Sequence, residues 1–488
     1  MGDITAALNH SLDILDRVFS QGVQLLEAVL FVPIAGFPVI ILWLVGGALF
    51  FTVRMGGINI RGIPPAIALL FEGQPPSDPE TPDQDGEVSP FQALTTALSG
   101  SIGLGNIAGV AIAIQVGGPG TVFWMTVAAL LGMASKFVEC ALGVKYRDVR
   151  PDGTVRGGPM YTLTAGLGAM GKPRLGKGLG MLYCGFNLGG VIGGCGMFQT
   201  NQSFAILANI FPELLNFDWL YGLGFALLSG LVIVGGISRI GTVTSRLLPA
   251  MIAIYLLMAV WVIAVQFRTL PQCVTLIMSE AFSPQAVEGG AIAVFIQGIR
   301  RSTFSNHAGL GTAAMVHAVA KTDNPIKEGL VAILEPFVDT VIVCNLTALV
   351  ILSTGFYGQR LGPDLDGSAL MGNAFGSVVG WFPYLLAVII FLFAFSTVIS
   401  CSYYGTVSWG FLFGDRSVVV FKAIFLAGLF LGATINLGAV VDFSDVMLMG
   451  MAWPNLFGNF WLSHQVAADL NSFWQQYNRG KLSAIAGD

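Results

Sequence analysis

Long apolar runs, separated by short polar stretches, dominate this chain. Because about 20 apolar residues cross a bilayer as a helix, each run of that length predicts one membrane-spanning helix. The pattern predicts an all-α polytopic membrane protein with eleven transmembrane helices, at 30–53, 90–115, 119–145, 178–211, 219–236, 247–267, 286–318, 328–354, 374–413, 418–434 and 443–463.

The first 89 residues predict an N-terminal unit with three parts. Apolar residues between Ile4 and Phe19 recur at helical spacing, which is typical of an amphipathic helix at the membrane interface. An extra transmembrane helix follows. The stretch from Glu72 to Glu87 is rich in Pro, Asp and Glu and predicts a solvated acidic linker.

Lysines and arginines fall mainly on one side of this predicted topology. With the N-terminus outside, the outer side holds only Arg17, Arg268 and Arg360. Cytoplasmic loops carry an excess of basic residues, so we expect the N-terminus outside and residues 466–488 as a cytoplasmic tail.

The run Ser99 to Gly109 (SGSIGLGNIAG) interrupts the second apolar segment. Irregular backbone survives at membrane depth only where it lines a cavity or is buried in protein. Glycines that merely permit close helix packing are the alternative. The density of glycines, serines and Asn106 favours a broken helix at 90–115 that forms part of a binding site.

A second, similar run lies two hundred residues later. The sequence GNIAGVA at 105–111 is echoed by SNHAGLG at 305–311, inside the apolar segment 286–318. The topology gives the two segments opposite orientations. We therefore predict two inverted five-helix repeats, at 90–280 and 281–465, each beginning with a broken helix, which is the pattern of a secondary transporter.

Composition narrows the function further. The chain is 54% hydrophobic and only 10% charged, has a net charge of -5 and contains no basic cluster, so a nucleic-acid partner is not expected. Six cysteines and four histidines have no metal-ligand spacing, and no Gly-x-Ser-x-Gly occurs. The sequence predicts no enzyme, no transition-metal site and no repeated filter of an ion channel, which remains the less favoured alternative.

Eight blocks in order resemble the alanine or glycine:cation symporters, a family with the leucine-transporter fold. They are SGSIGLGNIAGVAIA at 99–113, GGPG at 117–120, KFVE at 136–139, GGPMY at 157–161, FSN at 304–306, EPFVDT at 335–340, FAFST at 393–397 and YYG at 403–405. The resemblance implies a 5+5 inverted-repeat core preceded by one extra helix, in a bacterial-type cytoplasmic (inner) membrane. It implies alternating-access symport of a small neutral amino acid with Na+, or H+ in some members, with no cofactor besides the coupling ion and no obligate protein partner.

The resemblance also implies where a zwitterion binds. Amides freed around Gly103, Gly105 and Asn106 suit the carboxylate, and carbonyls near Ser302, Thr303 and Ser305, with the Asn306 side chain, suit the ammonium group. The pocket wall would include Gln199, Thr397, Ser400 and Cys401. The alternatives are that Asn306 caps the broken helix and that Gln199 makes an interhelical hydrogen bond.

A cation site follows from the same resemblance. Its ligands would be the carbonyls of Ser99 and Ile102 and the hydroxyls of Ser396 and Thr397. The alternative is that these two hydroxyls bond back to carbonyls one turn earlier in their own helix.

Several charged residues lie inside apolar segments. Lys136 and Glu139 are one turn apart, which predicts a salt bridge on one helix face. Arg300 and Arg301 directly precede the second break, where each must face water or a carboxylate. We interpret these two arginines as part of an outer vestibule or gate.

Two positions depart from the family pattern. His307 stands where family members have Glu. This replacement is compatible with pH sensing or H+ coupling, because imidazole titrates near neutral pH. A hydrogen-bonded neutral histidine is the alternative. Ser400 and Cys401 stand where Gly-Trp is usual, and loss of the indole predicts a pocket for a substrate larger than alanine, or for a polar side chain that reaches Ser400.

Overall fold

The computed structural model is mostly helical. It describes residues 24, 26–71, 86–283, 290–322, 324–358, 367–434 and 437–478. The predicted interfacial helix, most of the acidic linker and the last ten residues lie outside the described residues.

Six helical stretches of the described chain are long and apolar enough to cross a membrane: Thr121–Lys145, Pro173–Ile210, Pro212–Ile233, Gly236–Val265, Pro325–Ser353 and Phe382–Phe413. A seventh is added if Val39–Arg54 and Ile58–Leu70, which meet at 70°, form one span. These helices define a multi-pass membrane protein. The total of eleven spans and the inverted order of the repeats stay predictions.

Both predicted interruptions are present. The first broken segment consists of Pro90–Ser101, residues 102–107 and Ala108–Gly117. The second broken segment consists of Gly290–Asn306, residues 307–311 and Thr312–His317. The second break turns through left-handed backbone at His307, Gly309 and Gly311, with φ of 55°, 84° and 79°.

Two long helices contain a wider, π-helical turn. Val191–Met197 separates Pro173–Gly190 from Phe198–Ile210. Phe337–Cys344 follows Pro325–Ala332 and Leu334–Pro336 and precedes Asn345–Ser353. A π-helical turn leaves carbonyls without their usual partners and is frequent at functional sites.

Several predicted spans have different bounds in the structure; the one predicted at 247–267, for example, is Gly236–Val265. The run at 30–53 opens with a tight hairpin of β1 (Pro33–Ile34) and β2 (Phe37–Pro38), and the helix begins only at Val39. The prolines cannot donate helix hydrogen bonds, and the hairpin turns at positive φ through Ala35 and Gly36.

The span predicted at 374–413 is two helices, Ser368–Val378 and Phe382–Phe413, because Pro383 begins a new helix. The span predicted at 443–463 is also divided, into Leu437–Gly450 and Ala452–Asn478. Helix therefore continues into the region predicted as a tail at 466–488.

Shorter elements complete the described chain. Further α-helices are Ile58–Arg61, Ile63–Phe71, Pro159–Ala169, Asp218–Ile233, Leu270–Ala281 and Val418–Gly432, and residues 26–30 are also helical. Short 3-10 turns lie at Pro212–Phe217, Phe267–Thr269, Phe356–Gly358 and Asp415–Ser417, and β3 (Asp148–Val149) pairs antiparallel with β4 (Val155–Arg156).

The packing encloses both broken segments. Thr121–Lys145 contacts both halves of the second broken segment, while Phe382–Phe413 contacts the first half of the first. All residues from Ile102 to Ile107 and from His307 to Gly311 are buried. Irregular backbone at these positions is thus surrounded by protein, as the absence of water in lipid requires.

Candidate functional site

The two breaks meet at Asp339, in the π-helical turn Phe337–Cys344. Asn106 of the first break donates from Nδ2 to the carbonyl oxygen of Asp339 at 3.1 Å. Ser305, at the edge of the second break, donates to Asp339 Oδ1 at 2.6 Å. A Cβ on Gly105 would lie 3.5 Å from Ser305 Cα. One aspartate therefore holds the two broken segments together.

Sequence reasoning missed Asp339 as a site residue, although it lies in one of the quoted family blocks. Its side chain is fully buried, Thr340 Oγ1 also donates to Oδ1 at 2.7 Å, and Oδ2 has no hydrogen-bond partner within the described residues. An acidic residue inside an apolar span was the available signal, since intramembrane carboxylates are costly and usually functional.

Gly103 lies between two predicted site residues. A Cβ on Gly103 would be 2.5 Å from Thr397 Oγ1 and 3.0 Å from Gln199 Oε1. Gln199 Oε1 accepts from the Leu104 amide at 2.9 Å, and its Nε2 donates to the carbonyl of Gly194 in the first π-helical turn at 3.3 Å. Gln199 thus makes the interhelical bond that was its alternative interpretation, and it does so beside Gly103 and Thr397.

Two of the amides predicted to bind a carboxylate already have partners in this conformation. The Gly103 amide donates to Asn106 Oδ1 at 3.0 Å, and the Asn106 amide donates to the Gly103 carbonyl at 3.3 Å. The Asn106 side chain therefore closes the break internally. Carboxylate binding at Gly103, Gly105 and Asn106 stays a prediction, and it requires these bonds to exchange.

Asn306 has the capping geometry that was its alternative interpretation. Its Oδ1 accepts from the Ala308 amide at 2.9 Å, and its Nδ2 donates to Ser302 Oγ at 3.1 Å and to Thr340 Oγ1 at 3.0 Å. Ser302 in turn donates to the carbonyl of Met125. The Asn306 side chain is thus fully used in this conformation.

A cavity of about 230 Å³ lies beside the second break. Its lining comes from Val39–Arg54, Thr121–Lys145 and Gly290–Asn306, and includes Thr303 and Asn306 but not Gly103, Gln199 or Thr397. The predicted substrate residues therefore divide into two sets, and this cavity is lined by members of only one of them.

The predicted cation ligands are partly brought together. Thr397 Oγ1 lies 3.5 Å from the carbonyl oxygen of Ile102, so Phe382–Phe413 does face the first break. Ser396 instead donates to the Phe393 carbonyl at 3.0 Å, which is the alternative for this hydroxyl. Ser99 Oγ is buried, with no hydrogen-bond partner found for it in the described chain.

Ser400 and Cys401 are both fully buried. Cys401 Sγ lies 3.5 Å from the carbonyl oxygen of Gly100, while Ser400 Oγ has no partner among the residues described. Cys401 therefore faces the first broken segment. The enlarged pocket stays a prediction.

Arg300 and Arg301, which precede the second break, share one carboxylate partner, as buried guanidinium groups require. Arg300 Nε lies 2.7 Å from Asp445 Oδ2, and Arg301 Nη2 donates to the same oxygen. Arg300 also lies over the Phe31 ring and Arg301 over the Phe304 ring. Asp445 thus links the second broken segment to Leu437–Gly450.

Lys136 and His307 have different surroundings from those expected. Lys136 Nζ is 3.9 Å from Glu139 Oε1 but only 3.1 Å from Glu335 Oε2, so Glu335 is its main partner.

His307 is buried, its amide donates to the Thr303 carbonyl at 3.0 Å, and its Nδ1 lies 3.4 Å from Thr312 Oγ1. A pH-sensing role for His307 stays a prediction.

Comparison with known proteins places this geometry in context. Residues 19–486 match the model of the sodium:alanine symporter family. The sodium/alanine symporter AgcS of Methanococcus maripaludis is 36% identical over 438 residues, which cover 89% of this chain and 94% of AgcS. The amino-acid carrier protein AlsT of Bacillus subtilis is 32% identical over 420 residues, covering 85% of this chain and 84% of AlsT.

A solved structure supports the fold. The crystal structure of MhsT in complex with L-phenylalanine superimposes with a TM-score of 0.57 at 13% identity, covering 76% of this chain and 89% of that chain. MhsT has the leucine-transporter fold, so the described helices share that architecture.

Proposed function

Because the chain belongs to the sodium:alanine symporter family, we propose that it couples the entry of Na+ to the uptake of a small neutral amino acid by alternating access. The family consists of membrane transporters, and the chain is a transporter and not an enzyme. The substrate, the coupling ion and the transport cycle are the proposed parts.

The junction at Asp339 is the observation that carries this proposal. Two broken segments, whose breaks at 102–107 and 307–311 are buried, are joined by hydrogen bonds from Asn106 and Ser305 to one aspartate. A zwitterion needs separate donors and acceptors, and broken helices supply both as free amides and free carbonyls. A junction made of hydrogen bonds can open and close at a small cost in free energy, because each bond contributes about 1 kcal/mol net.

In this proposal the first break binds the substrate carboxylate through Gly103, Gly105 and Asn106, and Gln199 and Thr397 form the wall. Substrate entry would displace Asn106 Oδ1 from the Gly103 amide. The second break would bind the ammonium group through Thr303 and Asn306. Ser400 and Cys401 would border the substrate side chain.

Na+ would bind between the carbonyls of Ser99 and Ile102 and the hydroxyls of Ser396 and Thr397. Sodium is a hard cation that prefers oxygen ligands, as Ca2+ and Mg2+ do. The approach of Thr397 Oγ1 to the Ile102 carbonyl supports this assignment. Binding requires Ser396 to turn its hydroxyl away from Phe393.

The arginine pair and Asp445 would form a gate on the outer side, in an inner-membrane protein with its N-terminus outside. A buried guanidinium needs its carboxylate, so the Arg300–Asp445 and Arg301–Asp445 contacts favour a closed outer path in this conformation.

An H+-coupled carrier of the same fold is the second candidate, favoured by His307 in place of the usual glutamate. The test is uptake into proteoliposomes of radiolabelled alanine, glycine, serine, methionine and glutamine, with and without a Na+ gradient, at two pH values. Na+-dependent, saturable uptake supports the proposal, and stronger competition by glutamine or methionine than by alanine supports the enlarged pocket. Uptake driven by a pH gradient without Na+ supports the second candidate.

A further inference from the structure

Five ionisable side chains form a second buried cluster, which reaches Glu335, four residues before Asp339. They are Lys136 and Glu139 of Thr121–Lys145, His317 at the end of the second broken segment, Glu328 of Pro325–Ala332 and Glu335 of Leu334–Pro336, each no more than 2% exposed. One lysine faces three glutamates, so the cluster carries excess negative charge unless it holds a further proton or cation. Uncompensated buried charge is strongly unfavourable.

The contacts of His317 require one more hydrogen-bond donor than a neutral imidazole supplies. Its Nδ1 lies 2.7 Å from Glu328 Oε1, and its Nε2 lies 2.6 Å from Glu335 Oε1. A neutral imidazole has one N–H donor, and its other nitrogen is an acceptor. An ionised carboxylate is an acceptor only. Two ionised glutamates therefore cannot both be bound by a neutral His317.

We propose that His317, Glu328 and Glu335 form a buried proton-binding site that holds one proton more than a neutral histidine with two carboxylates. The proton lies either on the imidazole, which then donates from both nitrogens, or on one of the two glutamates, which then donates to the imidazole. Either arrangement satisfies both short contacts. Within the described chain, no three His, Cys, Asp or Glu residues are arranged to hold a metal ion, which favours a proton over a metal at this site.

A chain of contacts joins this site to the second break. Glu335 Oε2 pairs with Lys136, and Lys136 faces Glu139. Glu139 Oε2 accepts from the Gly311 amide at 3.1 Å and from Asn455 Nδ2 at 3.0 Å. Asn455 also donates to the carbonyl of Gly309 at 2.8 Å. Gly309 and Gly311 are the positions of the break with left-handed backbone.

Other elements also carry titratable groups near His317, although Pro90–Ser101 and Ile63–Phe71 carry none. The elements packed against Thr312–His317 add Cys140 and Lys145 of Thr121–Lys145, Tyr161 of Pro159–Ala169, Lys327 of Pro325–Ala332, and Tyr384, Cys401, Tyr403 and Tyr404 of Phe382–Phe413. Arg147, His307, His464 and Asp469 lie on neighbouring segments. Arg147 donates to the carbonyls of Ala318 and Ala320, Tyr161 packs on Phe411, His464 faces the Trp461 carbonyl, and Asp469 pairs with Lys145.

Loss of the proton would set a lone pair of His317 against a carboxylate oxygen at hydrogen-bond distance. The resulting repulsion acts between Thr312–His317 and the helix that follows it. Because the same network positions Gly309 and Gly311, proton release would loosen the second half of the second broken segment. The site therefore makes transport depend on pH through His317, independently of which ion drives uptake.

The test compares the wild type with Glu328→Gln. The amide of glutamine can donate to Nδ1, so a neutral His317 then satisfies both contacts without the further proton.

Free Glu and His have pKa values near 4.3 and 6.5, so above pH 7 the unfolded wild type lacks this proton. The stability of the wild type therefore falls as the pH rises. The wild-type unfolding equilibrium constant should rise by up to about tenfold per pH unit more than that of Glu328→Gln, measured from thermal melts in detergent between pH 7 and 8.5. Wild-type uptake of alanine should fall only at the higher pH at which the folded protein releases the proton and the difference between the two stability slopes disappears, and the variant should lose this fall.

Glu335→Gln is the second variant and removes the need for the further proton in the same way, because its amide can donate to His317 Nε2, so it decides the matter if Glu328→Gln does not fold. Glu213→Gln, at an exposed position, is the matched control and should follow the wild type. Parallel melting curves for the wild type and both variants would overturn the proton site. The uptake readout rests on the proposed symport, whereas the melting readout does not. A protein that transports no amino acid but shows the melting difference would refute only the proposed function.

Discussion

Ser305 Oγ lies 2.6 Å from Asp339 Oδ1, and this bond ties the edge of one broken helix to a neighbouring π-helical turn. Asn106 of the other broken helix binds the backbone of the same aspartate. Any movement that separates the two breaks must therefore break contacts at Asp339. This position is where we expect substrate and ion binding to be converted into a change of conformation.

Asp339→Asn should reduce uptake by about tenfold or more, because it replaces a carboxylate oxygen with an NH2 group, and a buried polar group left without its partner costs about 1–3 kcal/mol. The amide keeps one oxygen acceptor, so the protein should fold, and Asp339→Ala should lower the melting temperature further. Asp152→Asn is a suitable control because Asp152 also accepts two bonds from a nearby threonine but in an exposed loop. Uptake by Asp339→Asn at the wild-type rate would contradict a role for this junction.

Gly103→Ala should abolish most uptake. Its Cβ would lie 2.5 Å from Thr397 Oγ1, and overpacking of this kind costs about 1–3 kcal/mol. Gly109→Ala is the matched control in the same broken segment, since the nearest atom to its Cβ would be 3.8 Å away. The expected result is a large loss for Gly103→Ala and near-normal uptake for Gly109→Ala. Equal uptake by the two variants would show that close approach at Gly103 is unimportant.

Thr397→Val preserves shape and removes the hydroxyl that faces the Ile102 carbonyl. The half-saturating Na+ concentration should rise by about tenfold, corresponding to roughly 1.4 kcal/mol. Thr397→Ser should restore most of the affinity. Ser402→Ala is the control, because Ser402 only donates back to the Ile399 carbonyl in the same helix. An unchanged Na+ dependence in Thr397→Val would remove this residue from the cation site.

Asp445→Asn should destabilise the protein more than Arg300→Gln, because it leaves two guanidinium groups without their shared carboxylate. Removing one partner of a buried pair costs about 3–5 kcal/mol. Arg301 is more buried than Arg300, with side chains 5% and 15% exposed, so Arg301 should depend more on Asp445. Melting temperatures test the order of stabilities. Wild-type uptake and apparent affinity in both Arg300→Gln and Arg301→Gln would eliminate the gate.

The breaks could be predicted from sequence because their cause is local. Glycine and polar residues at membrane depth are unfavourable in a continuous lipid-facing helix, and the echo at 305–311 marked the second break. The start of the first helix could have been placed better, because Pro33 and Pro38 already oppose a helix before Val39. The mean hydropathy of the segment alone does not reveal the effect of these two prolines.

The partners within the site could not be predicted, because they come from distant segments. Asn106 and Asp339 are 233 residues apart, and Arg301 and Asp445 are 144 apart. His317 had no neighbour in sequence that suggested Glu335. Lys136 had a sequence neighbour, Glu139, yet its closer partner is Glu335 from another helix. Periodicity identifies which residues are buried, whereas the packing of helices decides which of them meet.

The most direct measurement is the initial rate of radiolabelled alanine uptake into proteoliposomes that contain the purified protein, with an inward gradient of Na+ or of K+ at the same pH. We expect saturable uptake with the Na+ gradient and little uptake with K+. Equal uptake in both gradients, or flux that does not saturate with alanine, would contradict Na+-coupled symport.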